Sequence, residues 1–268
     1  MKKIDGKWFK GKYKGMLIGL LIVIVYYWAL SGTETSPTNF VKGLPFMADF
    51  IGRMFPPDFS NVGTFLMKAV ETLQMAIVGS SIGALIALPL SFLAARNVMH
   101  NRVIYHSVRT IFDICRGINE IVWGLIFVSM VGLGPFPGVL ALAAHVTGAL
   151  GRYFSEAIET VDQEVIKAII STGASRVQVV IRGIIPQVKP LFINYTLYYL
   201  ENNFRAATVL GLVGAGGIGM ELITSMRLFR SHEVLTILII MVSTVLLIDR
   251  TSAYIRKRVL HNPSLEVE

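Results

Sequence analysis

Apolar residues arrive in long uninterrupted runs, not in the three-to-four-residue rhythm of a water-facing helix. Met16 to Leu30 is one such run behind a lysine-rich tail, and Phe65 to Ala95 is a longer one. Ile111 to Gly134 and Phe136 to Leu150 come next, separated only by Gly134-Pro135-Phe136-Pro137-Gly138, a turn by composition. A fifth run follows Pro190 and ends near Leu212, and a sixth covers Val234 to Ile248. A hydrocarbon core about 30 Å thick is crossed by about 20 mostly apolar residues. The pattern therefore predicts an all-α polytopic membrane protein with six transmembrane helices. No strand alternation suggests a barrel. Pro89 predicts a kink near the end of the second span. Because further spans follow, the first reads as a retained anchor and not as the apolar part of a signal peptide.

Composition agrees with the pattern. Only 16% of the 268 residues are charged and 53% are hydrophobic. An average soluble domain carries about 25% charged residues, so this chain has too few to coat a water-exposed globule. The formal charge of +8 could point to nucleic acid, but its placement says otherwise. If the tail bearing Lys2, Lys3, Lys7, Lys10, Lys12 and Lys14 is cytoplasmic, nineteen of the 25 basic residues fall on that side. Only Lys42, Arg53, Arg227 and Arg230 fall outside, and Lys68 and Arg205 lie within spans. That asymmetry is the positive-inside signal, and it predicts both termini in the cytoplasm. The resulting layout is a basic tail at 1–15, an anchor helix at 16–30 and an extracytoplasmic loop at 31–64. A transmembrane domain at 65–250, with a cytoplasmic loop at 152–189, and a cytoplasmic tail at 251–268 complete it. The proline-containing 31–64 segment reads as an ordered or interfacial loop. Cys115 is the single cysteine, which rules out an intrachain disulfide or a multi-cysteine metal site.

Two motifs mislead. Gly6 to Tyr13 nearly spells a phosphate-binding loop, but Tyr13 stands where a magnesium-holding hydroxyl is needed and no strand precedes it. Gly214-Ala215-Gly216-Gly217-Ile218-Gly219 satisfies G-x-G-x-x-G literally, yet it follows a membrane span and not a strand. With Gly211, these glycines (Gly211, Gly214, Gly216, Gly217, Gly219) predict a backbone bend or a close helix approach at the membrane edge. The five histidines are scattered and form no catalytic motif, and His145 reads as a packed, hydrogen-bonded residue.

The loop between spans four and five is the most informative segment. Ser155 to Arg182 is too polar to cross a membrane and is rich in helix formers. Glu156, Glu159, Glu164 and Lys167 share one face at helical spacing. Ser171-Thr172-Gly173-Ala174-Ser175 breaks the helix, a second amphipathic stretch begins at Arg176, and Ile185-Pro186 ends it. A helix–Gly turn–helix displayed between two spans suits docking of a soluble partner.

This loop resembles the EAA loop of ABC importer permeases. Gly173-Ala174 is followed by Ile185-Pro186 at that motif's spacing, and the motif's Glu-Ala falls on Lys167-Ala168, so a lysine replaces the glutamate. Asp113 to Glu120, Val131 to Phe136, Ile185-Pro186-Gln187, Ala206 to Gly219 and Phe55 to Ser60 are similar to the phosphonate ABC transporter permease (PhnE) family, over about residues 50–258. The resemblance implies a MetI-like type I importer fold in the bacterial inner membrane. It implies two permease copies, two ATP-binding cassette subunits at the cytoplasmic face and an extracytoplasmic phosphonate-binding protein. The bilayer is the remaining partner, with no nucleic acid involved. No cofactor is expected on this chain, and ATP and magnesium belong to the partner ATPases. The loop residues Lys167, Ala168, Thr172, Gly173, Ala174, Ser175, Ile185 and Pro186 become the candidate ATPase coupling element. Related permeases for other small solutes such as methionine share the loop and the glycine-rich stretch. A stand-alone secondary transporter would need no docking loop.

Charges inside a membrane are costly and usually functional or paired. Glu201 and Arg205 lie four residues apart in span five with Asn202 between them, and Asn119 and Glu120 lie in span three. Glu201 and Arg205 can pair along one helix face, or the whole set can line a passage in which Arg205 and Asn202 attract an anion. Glu71, near the outer end of span two, reads as interfacial.

Overall fold

A computed structural model describes residues 7–33 and 37–260, with side chains at 15–33 and 38–257. Lys2, Lys3, Gly6 and the last residues of the C-terminal tail lie outside the described residues. Every regular element among those described is helical. The chain forms two compact units, residues 1–55 and 56–268.

The first unit holds α1 (Lys7–Gly32) and α2 (Pro37–Met54). Within α1, Gly15–Gly32 is long and apolar enough to cross a membrane. Helix α2 occupies much of the 31–64 segment expected as an ordered or interfacial loop. Its apolar residues Phe40, Val41, Leu44, Met47 and Ile51 recur at helical spacing, and Asp49 and Arg53 pair one turn apart. Pro37 opens the helix, where its missing N–H costs nothing, and Pro45 is carried inside it.

The second unit is a bundle around α6 (Pro135–Glu159), whose flanks pack on α3 (Val62–Leu93), α4 (Arg102–Gly117), α5 (Glu120–Val131) and α9 (Ile185–Leu210). Small residues set these approaches. Added Cβ atoms at Gly79 and Gly83 of α3 would stand 2.7 Å from the Cβ atoms of Leu142 and Val146. One at Gly148 of α6 would stand 2.6 Å from the backbone of Phe112 and Arg116. Helix α3 runs on through Pro89 to Leu93. Helix α6 continues nine residues past the expected end at Leu150, because its last turns bury Phe154, Ser155, Ala157 and Ile158.

The third apolar run is not one helix. α4 and α5 meet at a 90° bend. Gly117 ends α4, and Asn119 caps α5 by accepting from the Ile121 N–H at 2.9 Å. After α6 come α7 (Gln163–Ser171), the single-turn α8 (Arg176–Val179) and a π-helical turn at Val180–Ile184. α9 starts at Ile185, with Pro186 in its first turn, and passes through Pro190 instead of starting after it. A 3-10 turn (Gly211–Val213), α10 (Gly217–Arg227) and α11 (Ser231–Leu260) finish the unit. By length and composition α1, α3 and α11 can each cross a membrane singly. Counting α4 with α5 and α9 with α10 as bent spans gives five among the described residues.

Candidate functional site

The loop hairpin is built from local signals. Asp162 caps α7 by accepting from the Glu164 N–H at 2.8 Å. Gly173 has φ +78°, a left-handed conformation that suits glycine. Ser175 and Gln178 then form a reciprocal capping box that starts α8. Lys167, Ala168, Thr172, Gly173 and Ser175 are exposed and Ala174 is half-buried. Ile170 and Val177 are more than half exposed, so the hairpin presents apolar side chains to its surroundings. Ile185 and Pro186 sit apart from this tip, in the first turn of α9. Behind the hairpin, Ile166, Ile170, Ala174, Val179 and Val98 line a cavity of about 500 Å³.

The four charges expected on one face of the loop are divided by the break at Thr160–Asp162. Lys167 pairs with Glu164 at 3.0 Å, and Glu156 with Arg152 at 2.7 Å. Glu159 instead anchors the root of the loop. Its Oε1 accepts from Arg109 Nη2 and from the Arg96 backbone N–H, both at 2.8 Å. The Arg96 side chain donates to the Tyr105 hydroxyl at 2.7 Å.

The polar residues inside the bundle also sort differently from the sequence expectation. Glu201 and Arg205 do not pair with each other. Glu201 accepts from Arg256 Nη2 of α11, and Arg205 Nη2 donates to both carboxylate oxygens of Asp249 at 2.9 and 3.1 Å. Two antiparallel helices bring a partner in α11 within reach of each, and the α9 pair is thereby split. Asn202 is half-buried and has no polar partner among the described residues. Asn119 and Glu120 lie at the α4–α5 break, at the start of α5. There Glu120 Oε1 is 3.3 Å from His145 Nε2, and His145 Nδ1 is 3.3 Å from the Ile118 carbonyl. No hydrogen bond or ion pair joins this group to Glu201 or Arg205 among the described residues. Tyr153 of α6 stacks on Tyr195 of α9 with centroids 5.2 Å apart, and lies 5.9 Å from Tyr199.

The glycine-rich segment forms a bend held from α3. Gly214, Gly216 and Gly217 have positive φ, and the Gly134 N–H donates to the Gly214 carbonyl at 3.0 Å. A Cβ on Gly211 would lie 2.6 Å from Met220 N, and one on Gly219 would collide with the Thr208 carbonyl. Glu71 Oε1 accepts from the Gly217 N–H at 3.0 Å, and Thr72 Oγ1 accepts from the Ile218 N–H at 2.9 Å. Lys68 holds the other Glu71 oxygen at 2.7 Å. Glu71 is thus a carboxylate at the positive end of α10. Because that carboxylate already occupies the helix start, the literal G-x-G-x-x-G offers no cradle for a phosphate.

Sequence reasoning missed Glu71, Asp249 and Arg256 as partners. The signal was available for the first, since an acid and Lys68 inside an apolar run require partners. It was available for the others only as charges seven residues apart near the end of α11, facing charges four apart in α9.

A family model described as "Binding-protein-dependent transport system inner membrane component" matches residues 87–261. The phosphite transport system permease protein PtxC of Stutzerimonas stutzeri is 37% identical over 252 residues, covering 94% of this chain and 90% of that one. The phosphate-import permease protein PhnE of Mycolicibacterium smegmatis is 37% identical over 204 residues, covering 76% of this chain and 38% of that one. An inward-facing structure of the MetNI methionine ABC transporter matches with a TM-score of 0.65 and 24% identity, over 75% of this chain and 99% of that one, which is a likeness of fold.

Proposed function

Because the chain belongs to the binding-protein-dependent transport system inner membrane component family, we propose that it is the permease subunit of an ABC importer for a phosphorus oxyanion. Phosphonate, phosphite and phosphate are the members of that class. The ligand is delivered by an extracytoplasmic binding protein and crosses between two copies of this chain. The relatives named for phosphite and phosphate are 37% identical, whereas the methionine system is alike in fold. That contrast favours the phosphorus class over methionine.

The observation that carries the reading is the α7–α8 hairpin. It is exposed, capped at both helix starts, turned by Gly173 and tied at its root, through Glu159, to α4 and to the connection between α3 and α4. A push on the tip is therefore delivered to α6 and α9. We place this hairpin and both termini in the cytoplasm, where the ATPase subunits hold ATP and magnesium and supply the push. The permease copies then alternate between inward-facing and outward-facing states. Asn119, Glu120 and Asn202 are the path-lining candidates. Arg205 is neutralised by Asp249 in this state, so an anion must compete with that carboxylate to reach it.

The test is Gly173→Ala in the complete transporter. A Cβ there meets nothing within 4 Å, so the packing of the hairpin itself is unchanged, while the left-handed backbone costs about 1–2 kcal/mol. Normal co-purification with the ATPase and less uptake per ATP hydrolysed supports the lever. Unchanged coupling in a normally assembled complex refutes it.

A further inference from the structure

An apolar groove of about 700 Å³ runs between α3 and α9. Leu88 and Phe92 of α3 and Phe192 of α9 form its walls, and Phe154 of α6 its floor. The helices are antiparallel: Asn203 Nδ2 donates to Ser80 Oγ at 2.7 Å just beyond the groove's far end, while Phe92, Ile185 and Lys189 mark the end nearest the loop hairpin. From Ile185 to Leu197 the groove follows α9 for about 18 Å at 1.5 Å per residue. One leaflet's hydrocarbon is about 15 Å deep. The groove is therefore as long as one acyl chain and starts at the interfacial end of the span.

Its one charged lining residue is Lys189, which is exposed and has no polar partner among the described residues. Helix side chains lean toward the N-terminus of their helix, which directs this ammonium out of the groove toward the interface, as snorkelling lysines do. No acidic residue lines the groove. Apolar walls of one-leaflet length with an unpaired cation at the mouth match an anionic phospholipid. We propose that the groove holds one acyl chain of such a lipid, with its phosphate against Lys189. The inference rests on the proposed function only in taking the hairpin side as the cytoplasmic leaflet.

The complete transporter, reconstituted in nanodiscs of equal phosphatidylglycerol and phosphatidylcholine and then released into mild detergent, reports retained lipid by native mass spectrometry. The wild type is expected to keep phosphatidylglycerol preferentially. Lys189→Gln lowers that preference about fivefold, the effect of one lysine at an anionic surface. Leu88→Trp, which fills the groove, lowers retention of both lipids. Equal phosphatidylglycerol preference in Lys189→Gln overturns the proposal. So does efficient disulfide cross-linking between two copies through Leu88→Cys in a Cys115→Ser background, because a second copy would then cover the groove. Failure to bind an ATPase with lipid retention intact would count against the importer reading and leave this one standing.

Discussion

Removing Glu201 should loosen α9 from α11 through Arg256 and leave Arg205 unaffected. The carboxylate of Glu201 is 14% exposed and Arg256 is 33% exposed, whereas Arg205 and Asp249 are 51% and 38% exposed. Opposite charges about 4 Å apart at an effective dielectric of about 20 attract by about 4 kcal/mol. Desolvation offsets much of that for a mostly buried pair, leaving about 1.5–3 kcal/mol, the range for hydrogen bonds to charged groups. The more exposed Arg205–Asp249 pair is worth about 1 kcal/mol or less. A same-helix Glu201–Arg205 pair would contribute at most about 0.5 kcal/mol, and here both partners are engaged elsewhere. Double-mutant cycles on thermal unfolding of the reconstituted transporter, using Glu201→Ala, Arg256→Ala, Arg205→Ala and Asp249→Ala, separate these terms. The expected order of coupling is Glu201–Arg256, then Arg205–Asp249, then Glu201–Arg205 near zero. A Glu201–Arg205 coupling larger than Glu201–Arg256 would refute the cross-helix assignment.

Three further outcomes follow from the geometry. Thr72→Val leaves the Ile218 N–H without its acceptor at a fully buried position, and should cost about 1–3 kcal/mol in unfolding free energy. Gly211→Ala places a methyl against Met220 N and the Gly216 carbonyl, backbone atoms that cannot swing aside. Overpacking of about 1–3 kcal/mol should appear as a lower unfolding temperature. At Asp58, in the connection before α3, the Ser60 hydroxyl and backbone N–H both donate to the carboxylate and hold its pKa below the usual 3.8. A lowered value means the contribution is present at neutral pH and is lost as pH falls below 3.8 through the folded-state value. Ser60→Ala should move the Asp58 carboxyl titration, followed by NMR, upward toward the ordinary value.

Much of the fold was legible because apolar runs and glycines act locally. The first long apolar helix, the long helix α3 and the glycine-turned hairpin follow from patterns within about 30 residues. The 90° bend at Ile118–Asn119 was hidden because the apolar run continues across it, and only the capping chemistry of Asn119 betrays the break. Helix α2 was hidden by prolines that read as turn residues but sit in a helix. The cross-helix partners of Glu201, Arg205 and Glu71 were not legible, since they lie 44 to 146 positions away in the chain. Periodicity says that a buried charge needs a partner, not which helix supplies it.

The proposed activity is import of phosphorus oxyanions driven by ATP hydrolysed on partner subunits. The most direct measurement is uptake into proteoliposomes containing the chain, its ATPase and its binding protein, with labelled phosphite, methylphosphonate, phosphate and methionine offered separately. ATP-dependent accumulation of at least one phosphorus oxyanion, with methionine left outside, is the predicted result. Methionine accumulation, or oxyanion uptake that proceeds equally without ATP, would contradict the account.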